Sequence, residues 1–372
     1  MKNVNKYLLF IGFLCILFFK TIPSIDENNV NIRLSQRRQS GQKGEEITEK
    51  YEDALPEDFS YLTDINLINK SIGVQALLTE CISVIKGEGA SVLQFLLMCL
   101  SLFAITAVCG AVCNGAFPIA TRSVSLIALS LVVVRLLPLV DEATGAIAGL
   151  GNFFSSLIPI LSGISLSLGH MSVATSQATA MSLTLSFLGG EGALALGGVV
   201  KCLFILALLS LFTKEGGRLM GTLKSIFMWG LGIITTLLGG VTSMQTLISR
   251  GADNATMMAT RYAIGNMLPL AGGAVSSALS TLVGGMSYYA TLVGGGAIAV
   301  VILTALAPLI SLLMYKLALS VSTFFVAFTG NEIIEGGVKA VSGALDALIA
   351  LYSVTTVIYA LEIMLFLRQG IG

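Results

Sequence analysis

Apolar residues dominate long stretches between Ser91 and the C-terminus, and polar residues fall in short clusters between them. A helix rises 1.5 Å per residue, so about twenty apolar residues cross a hydrocarbon core about 30 Å thick. Stretches of this kind run over 91–113, 124–140, 192–212, 225–248, 292–314 and 347–367. Residues 171–190 are rich in Ser, Thr, Ala and Gly, which suits close contact between helices. Residues 317–328 are apolar but short, and 330–346 reads as a polar, glycine-containing loop. The pattern predicts an all-α, polytopic helical membrane protein with about seven spans.

Two apolar stretches carry internal punctuation. Ser155–Gly163 reads SSLIPILSG, and Gly265–Gly273 reads GNMLPLAGG. Aligned, they superpose Pro159 on Pro269 and Gly163 on Gly273. Proline removes an amide donor and crowds the preceding turn, and the glycines weaken the turn beyond it. In hydrocarbon, interrupted backbone persists only when buried in protein or lining a wet cavity. Paired interrupted segments in corresponding halves are the signature of a duplicated membrane fold. The candidate repeats are residues 122–222 and 223–330, with Pro159, Pro269, Gly163 and Gly273 as structural or pore-lining candidates.

Composition agrees. Of 372 residues, 55% are hydrophobic and 11% charged, with mean hydropathy +0.88, too few charges to coat a water-soluble surface. Of the 42 charged residues, 20 lie between Lys20 and Glu88 and another 20 in everything after it. The chain therefore divides into a secretory signal peptide at 1–24, a short charged extracytoplasmic segment at 25–90 and a membrane domain at 91–372. Lys2 and Lys6 precede the apolar core Tyr7–Phe19, the order of a signal peptide. Within 25–90, Phe59, Leu62, Ile65, Ile68 and Ile72 recur at helical spacing. With the N-terminal segment exported, Lys214, Arg218, Lys224 and Lys316 fall on the cytoplasmic side, as the positive-inside rule prefers. No basic cluster offers a surface for nucleic acid.

Candidate chemistry is sparse. The six cysteines show no metal-ligand spacing and read as small packing residues. His170 has no carboxylate or cysteine at ligand spacing and reads as a loop or interfacial residue. No catalytic set, cofactor site or metal site is expected, and the chain reads as a non-enzyme. Charges at membrane depth are expensive, so Arg135, Glu191, Lys201 and Glu362 are functional candidates by default. Glu362 has three options: to snorkel from a span end, to pair with Arg368, or to face a cavity.

The block NATMMATRYAIGNMLPLAGGAVSSALSTLVGG, Asn254–Gly285, resembles the stage III sporulation protein AE family of endospore-forming bacteria. Arg261, Gly265 and Asn266 followed by Pro269 are the most specific part, and the glycines of 330–337 also fit. The resemblance implies a multi-pass protein of the mother-cell membrane facing the forespore. It implies membership of the channel complex linking the two cells, with ring-forming subunits and a secretion-type ATPase as partners. A homo-oligomer is compatible with it, and it supplies no catalytic residue. The competing reading is a stand-alone secondary transporter built on the paired broken segments, with Glu362 and Lys201 as coupling residues.

Overall fold

The computed structural model describes residues 74–113, 118–267, 272–328 and 332–370. The signal peptide, most of the charged segment and Pro269 lie outside them. Among the described residues there are seven helices and no strand: α1 (Val74–Cys113), α2 (Pro118–Ser167), α3 (Met171–Leu188), α4 (Gly190–Leu209), α5 (Lys214–Met267), α6 (Gly272–Phe328) and α7 (Glu332–Gly370).

Among the described residues, six stretches are long and apolar enough to cross a membrane, against about seven spans expected: 79–111, 121–167, 171–209, 215–244, 292–327 and 333–366. The difference comes from joining. The apolar stretch 124–140 and the proline-bearing stretch Ser155–Gly163 lie on the one helix α2, because Asp141–Thr144 between them contains no residue that stops a helix. Likewise 292–314 and 317–328 both lie on α6. The supposed loop at 330–346 is mostly the first turns of α7. Nor does the helix pause at residue 90, since α1 runs across it from Val74. Five of the stretches are continuous helix of 30 to 47 residues, about 45–70 Å at 1.5 Å per residue, so each of those exceeds the hydrocarbon thickness, whereas 171–209 is divided between α3 and α4.

The break expected at Pro159 is also displaced. Helix α2 continues through both Pro138 and Pro159, as α6 continues through Pro308. Pro159 is exposed on its helix, and a Cβ added at Gly163 would meet open space. At each proline the helix forgoes one amide bond and crowds the carbonyl four residues earlier, yet it continues without ending. Gly273 stands in the first turn of α6, while its counterpart Pro269 is outside the described residues.

The true interruption is at Gly189–Gly190, where α3 stops and α4 starts. Gly189 is extended (φ −95°, ψ 168°), and Gly190 takes φ +44°, a left-handed value that side chains resist. The amides of Gly192 and Ala193 donate to the Gly189 carbonyl, which starts α4 directly. Upstream, Gly169 (φ 85°) closes α2: its amide donates to Leu166 and that of His170 to Ser165. This is the Schellman arrangement for satisfying terminal carbonyls. His170 thus sits in a turn, at the N-cap of α3.

Helix α7 is the axis of the bundle. It packs against α6 most extensively and also against α5, α4, α2 and α3, and 61% of its span is buried, the largest share of the six. Its Tyr352, Tyr359 and Phe366 are among the largest fully buried side chains. Tyr359 stacks on Phe154 of α2 with ring centroids 4.6 Å apart, while Phe95 of α1 meets Tyr315 of α6 edge-on at 5.2 Å. Such aromatic pairs add about 0.5–1.5 kcal/mol beyond the area they bury.

Gly189 leaves no room for a side chain beside this axis. A Cβ there would stand 2.5 Å from Leu185 Cδ1 and 3.1 Å from the Tyr359 hydroxyl. Gly189→Ala should therefore lower the stability of the detergent-solubilised protein by about 1–3 kcal/mol. Gly163→Ala, in open space within a helix, should be neutral or stabilising by up to about 1 kcal/mol. Thermal unfolding followed by circular dichroism distinguishes them, and equal effects would contradict the placement of the break.

Candidate functional site

Among the described residues, two polar nodes centred on carboxyl groups interrupt the apolar core, and both are built on α7. The first is ionic. Asp346, 5% exposed, faces two lysines: Lys316 Nζ of α6 lies 2.6 Å from Oδ1, and Lys224 Nζ of α5 lies 3.2 Å from Oδ2. Lys316, itself 8% exposed, also donates to the Ser342 carbonyl at 2.9 Å and to Ser342 Oγ at 2.5 Å. The level of contact follows from the connection. Lys316 stands twelve residues before Phe328, the end of α6, and Asp346 fourteen after Glu332, the start of α7, so the two lie at similar distances from helix ends that are neighbours in sequence. Gly343 admits Lys224, since a Cβ at 343 would lie 3.3 Å from its Nζ.

A buried carboxylate or ammonium loses several kcal/mol of hydration even after relaxation, and only a counter-charge with further hydrogen bonds offsets it. Here one carboxylate serves two ammonium groups from two other helices. Lys224 keeps 29% of its side chain exposed, so the second positive charge retains some solvation. The arrangement holds α5, α6 and α7 in one register.

The second node surrounds Glu362, 2% exposed and sixteen residues further along α7, about 24 Å at helical rise. Thr184 Oγ1 of α3 donates to Glu362 Oε1. Gln177 Nε2, also of α3 and 3% exposed, donates to the Glu362 backbone carbonyl at 3.3 Å. Thr242 of α5 stands beside the carboxyl group, and its own hydroxyl donates to the Leu238 carbonyl at 2.7 Å. Glu362 Oε2 and the Tyr359 hydroxyl are both buried and make no hydrogen bond among the described residues. Tyr359 faces Gly189, so this node lines the break between α3 and α4.

The residues singled out in the sequence are scattered across the bundle. Arg135 is exposed on α2 and makes no ion pair among the described residues. Lys201 of α4 pairs with Asp141 of α2 at 2.5 Å, and both side chains are largely exposed at 42% and 65%. Glu191 is exposed in the first turn of α4, where a negative charge meets the positive end of the helix dipole. Glu362 is buried inside the bundle rather than snorkelling from the span end; the Arg368 side chain lies outside the described residues. Pro159 and Gly163 sit on α2.

Two expectations change. Lys224 and Lys316, expected at the cytoplasmic interface, lie inside the bundle against Asp346, so they carry little weight for orientation. Asp346, expected in a loop, is the centre of the ionic node. Its flanks ALDALIALY are apolar on both sides, which marks a buried helix. The cysteines vary, with Cys99 buried and Cys202 exposed, and no disulfide occurs among the described residues.

Comparison with known proteins gives one consistent result. The family model described as Stage III sporulation protein AE matches residues 60–370. A curated relative, Stage III sporulation protein AE of Bacillus subtilis (strain 168), is 27% identical over 191 residues. That alignment covers 49% of this chain and 47% of the relative, about half of each. No solved structure matches.

The nodes differ in what a charge deletion should do. Asp346→Asn leaves Lys316 buried without a counter-charge and should cost about 3–5 kcal/mol, the range for breaking one side of a buried pair. Lys201→Met removes only one partner of an exposed pair and should change stability by no more than about 1 kcal/mol. Membrane accumulation together with the detergent melting temperature checks both, and a larger loss for Lys201→Met would contradict the ranking.

Proposed function

The chain belongs to the stage III sporulation protein AE family, and on that premise we propose that it is a non-catalytic membrane subunit of the channel complex joining mother cell and forespore. The observation that carries the reading is the family match over 60–370, which takes in all six spanning stretches. In this reading the chain resides in the mother-cell membrane, and its N-terminal segment is extracytoplasmic. Its partners there are ring-forming subunits and a secretion-type ATPase. The polar nodes suit a subunit that must hold a fixed shape under load, because they tie long helices at two levels along α7. Outward-facing apolar side chains such as Trp229, Ile233, Leu237 and Met244 of α5 offer surface to lipid or to neighbouring subunits.

A second reading has one specific observation in its favour. The α3–α4 break is lined by a buried carboxyl group, the arrangement through which secondary transporters hold substrates or coupling ions. On that reading the chain moves a solute without partners.

Mild detergent extraction from sporulating cells, affinity capture through a C-terminal tag and mass spectrometry separate the two. The channel reading predicts that the ATPase and ring-forming proteins are captured with the chain. It also predicts activity for an export-dependent reporter fused near Lys50. Recovery of the chain alone, together with solute flux when it is reconstituted in liposomes, would favour the transporter.

A further inference from the structure

The hydrogen bonds around Glu362 have a direction, and that direction identifies a ligand. The Thr184 hydroxyl gives its proton to Oε1. The Thr242 hydroxyl has already given its proton to the Leu238 carbonyl, so towards Glu362 it presents only lone pairs. An ionised carboxylate is an acceptor alone, and facing Thr242 it would place lone pair against lone pair. A carboxylic acid has one O–H to donate, and Oε2 is the oxygen without a partner among the described residues. With a proton on Oε2, Thr184 donates to one oxygen and the other donates towards Thr242. Every polar atom of the carboxyl group is then used.

The charges around the node point the same way. On α7 itself the titratable neighbour is Tyr359, one turn away. Helix α3 contains no Asp, Glu, Lys or Arg. On α5, Lys224 lies eighteen residues before Thr242, about 27 Å along the helix, and is paired with Asp346. On α4, Glu191 is exposed; on α2, the residue packed at this level is Phe154. The side chains of Arg250 and Arg368 lie outside the described residues. Among the described ones, nothing cationic neutralises Glu362, and an uncompensated buried carboxylate is the costliest state available to it.

We propose that Glu362 is a proton-binding site, with the proton held on Oε2 between the carboxyl group and Thr242 Oγ1. Uptake takes one proton from water and converts the carboxylate to the neutral acid; release returns the proton to water and leaves the carboxylate. Because Thr184 and Gln177 belong to α3, which ends at Gly189, loss of the proton would act first on the contact between α7 and the interrupted helix pair. The proposal concerns this chain alone and stands whether or not the chain works within a channel complex.

Dicyclohexylcarbodiimide tests it, since this apolar reagent adds to protonated carboxyl groups in apolar surroundings. The purified full-length protein in detergent is treated over a pH series, with and without Na⁺, and adducts are located by mass spectrometry. The expected result is labelling at Glu362 that declines as pH rises and is unchanged by Na⁺, with the exposed Glu191 unlabelled. Thr242→Val, which removes the acceptor, should reduce labelling at fixed pH several-fold, while Thr242→Ser should retain it. Protection by Na⁺ at constant pH would replace the proton with a metal cation and overturn the proposal. Absence of the adduct from folded protein across the series would overturn it as well. So would labelling that does not differ between Thr242→Val and Thr242→Ser.

Discussion

The bundle depends on how one carboxylate, Asp346, is kept charged inside protein. Its two oxygens face ammonium groups from two other helices, and Ser342 takes up further donors of Lys316. Without the lysines the carboxylate would be an isolated buried charge, and without the carboxylate two ammonium groups would repel each other among apolar side chains. Apolar packing alone tolerates sliding of one helix along another, particularly when the helices are rich in small residues. An ion pair does not, because displacement by one turn separates the charges. The register of α5, α6 and α7 follows from that constraint, and the Glu362 contacts to α3 and α5 are set in turn by where α7 lies.

The two nodes along α7 divide the work. At Asp346 charges are matched by charges, so the node is tight and its chemistry closed. At Glu362 a carboxyl group meets hydroxyls, and an amide holds the backbone beside it, next to the point where a helix is interrupted. Breaks in membrane helices leave backbone polar groups that need protein or water around them. Here Gly189 brings that break against Tyr359, which stacks on Phe154 deep in the bundle. The rigid node and the exchangeable one thus occupy different levels of the same helix.

The helical class, the membrane character and the family are legible in the sequence, because each is carried by long apolar runs or by the block around Arg261–Gly285. Span number is less legible. Apolar runs mark what can enter a membrane but not whether two neighbouring runs share a helix, as those flanking Asp141 do on α2. Proline misleads for a related reason. Pro159 looks like a stop in isolation, but α2 continues through it, whereas the actual stop at Gly189 is written only in glycines. Glu362 is recognisable as a costly residue. Its partners Thr184, Gln177 and Thr242 are not, since their meeting is a tertiary event with no local spacing to reveal it. Lys224, Lys316 and Asp346 each look like boundary residues for the same reason.

The central claim is that Asp346 and Lys316 act as one unit that fixes helix register. A double-mutant cycle on that pair measures this directly: Lys316→Met, Asp346→Leu and the combined variant, compared with the parent protein by equilibrium unfolding in detergent. The account predicts that each single change is severe, and that the combined variant is more stable than the sum of the two implies. The coupling should be of order 1–3 kcal/mol, with Lys224 relieved through its exposed side. Additive losses would mean that the two side chains contribute independently, and would contradict the ionic node as the element on which the bundle depends.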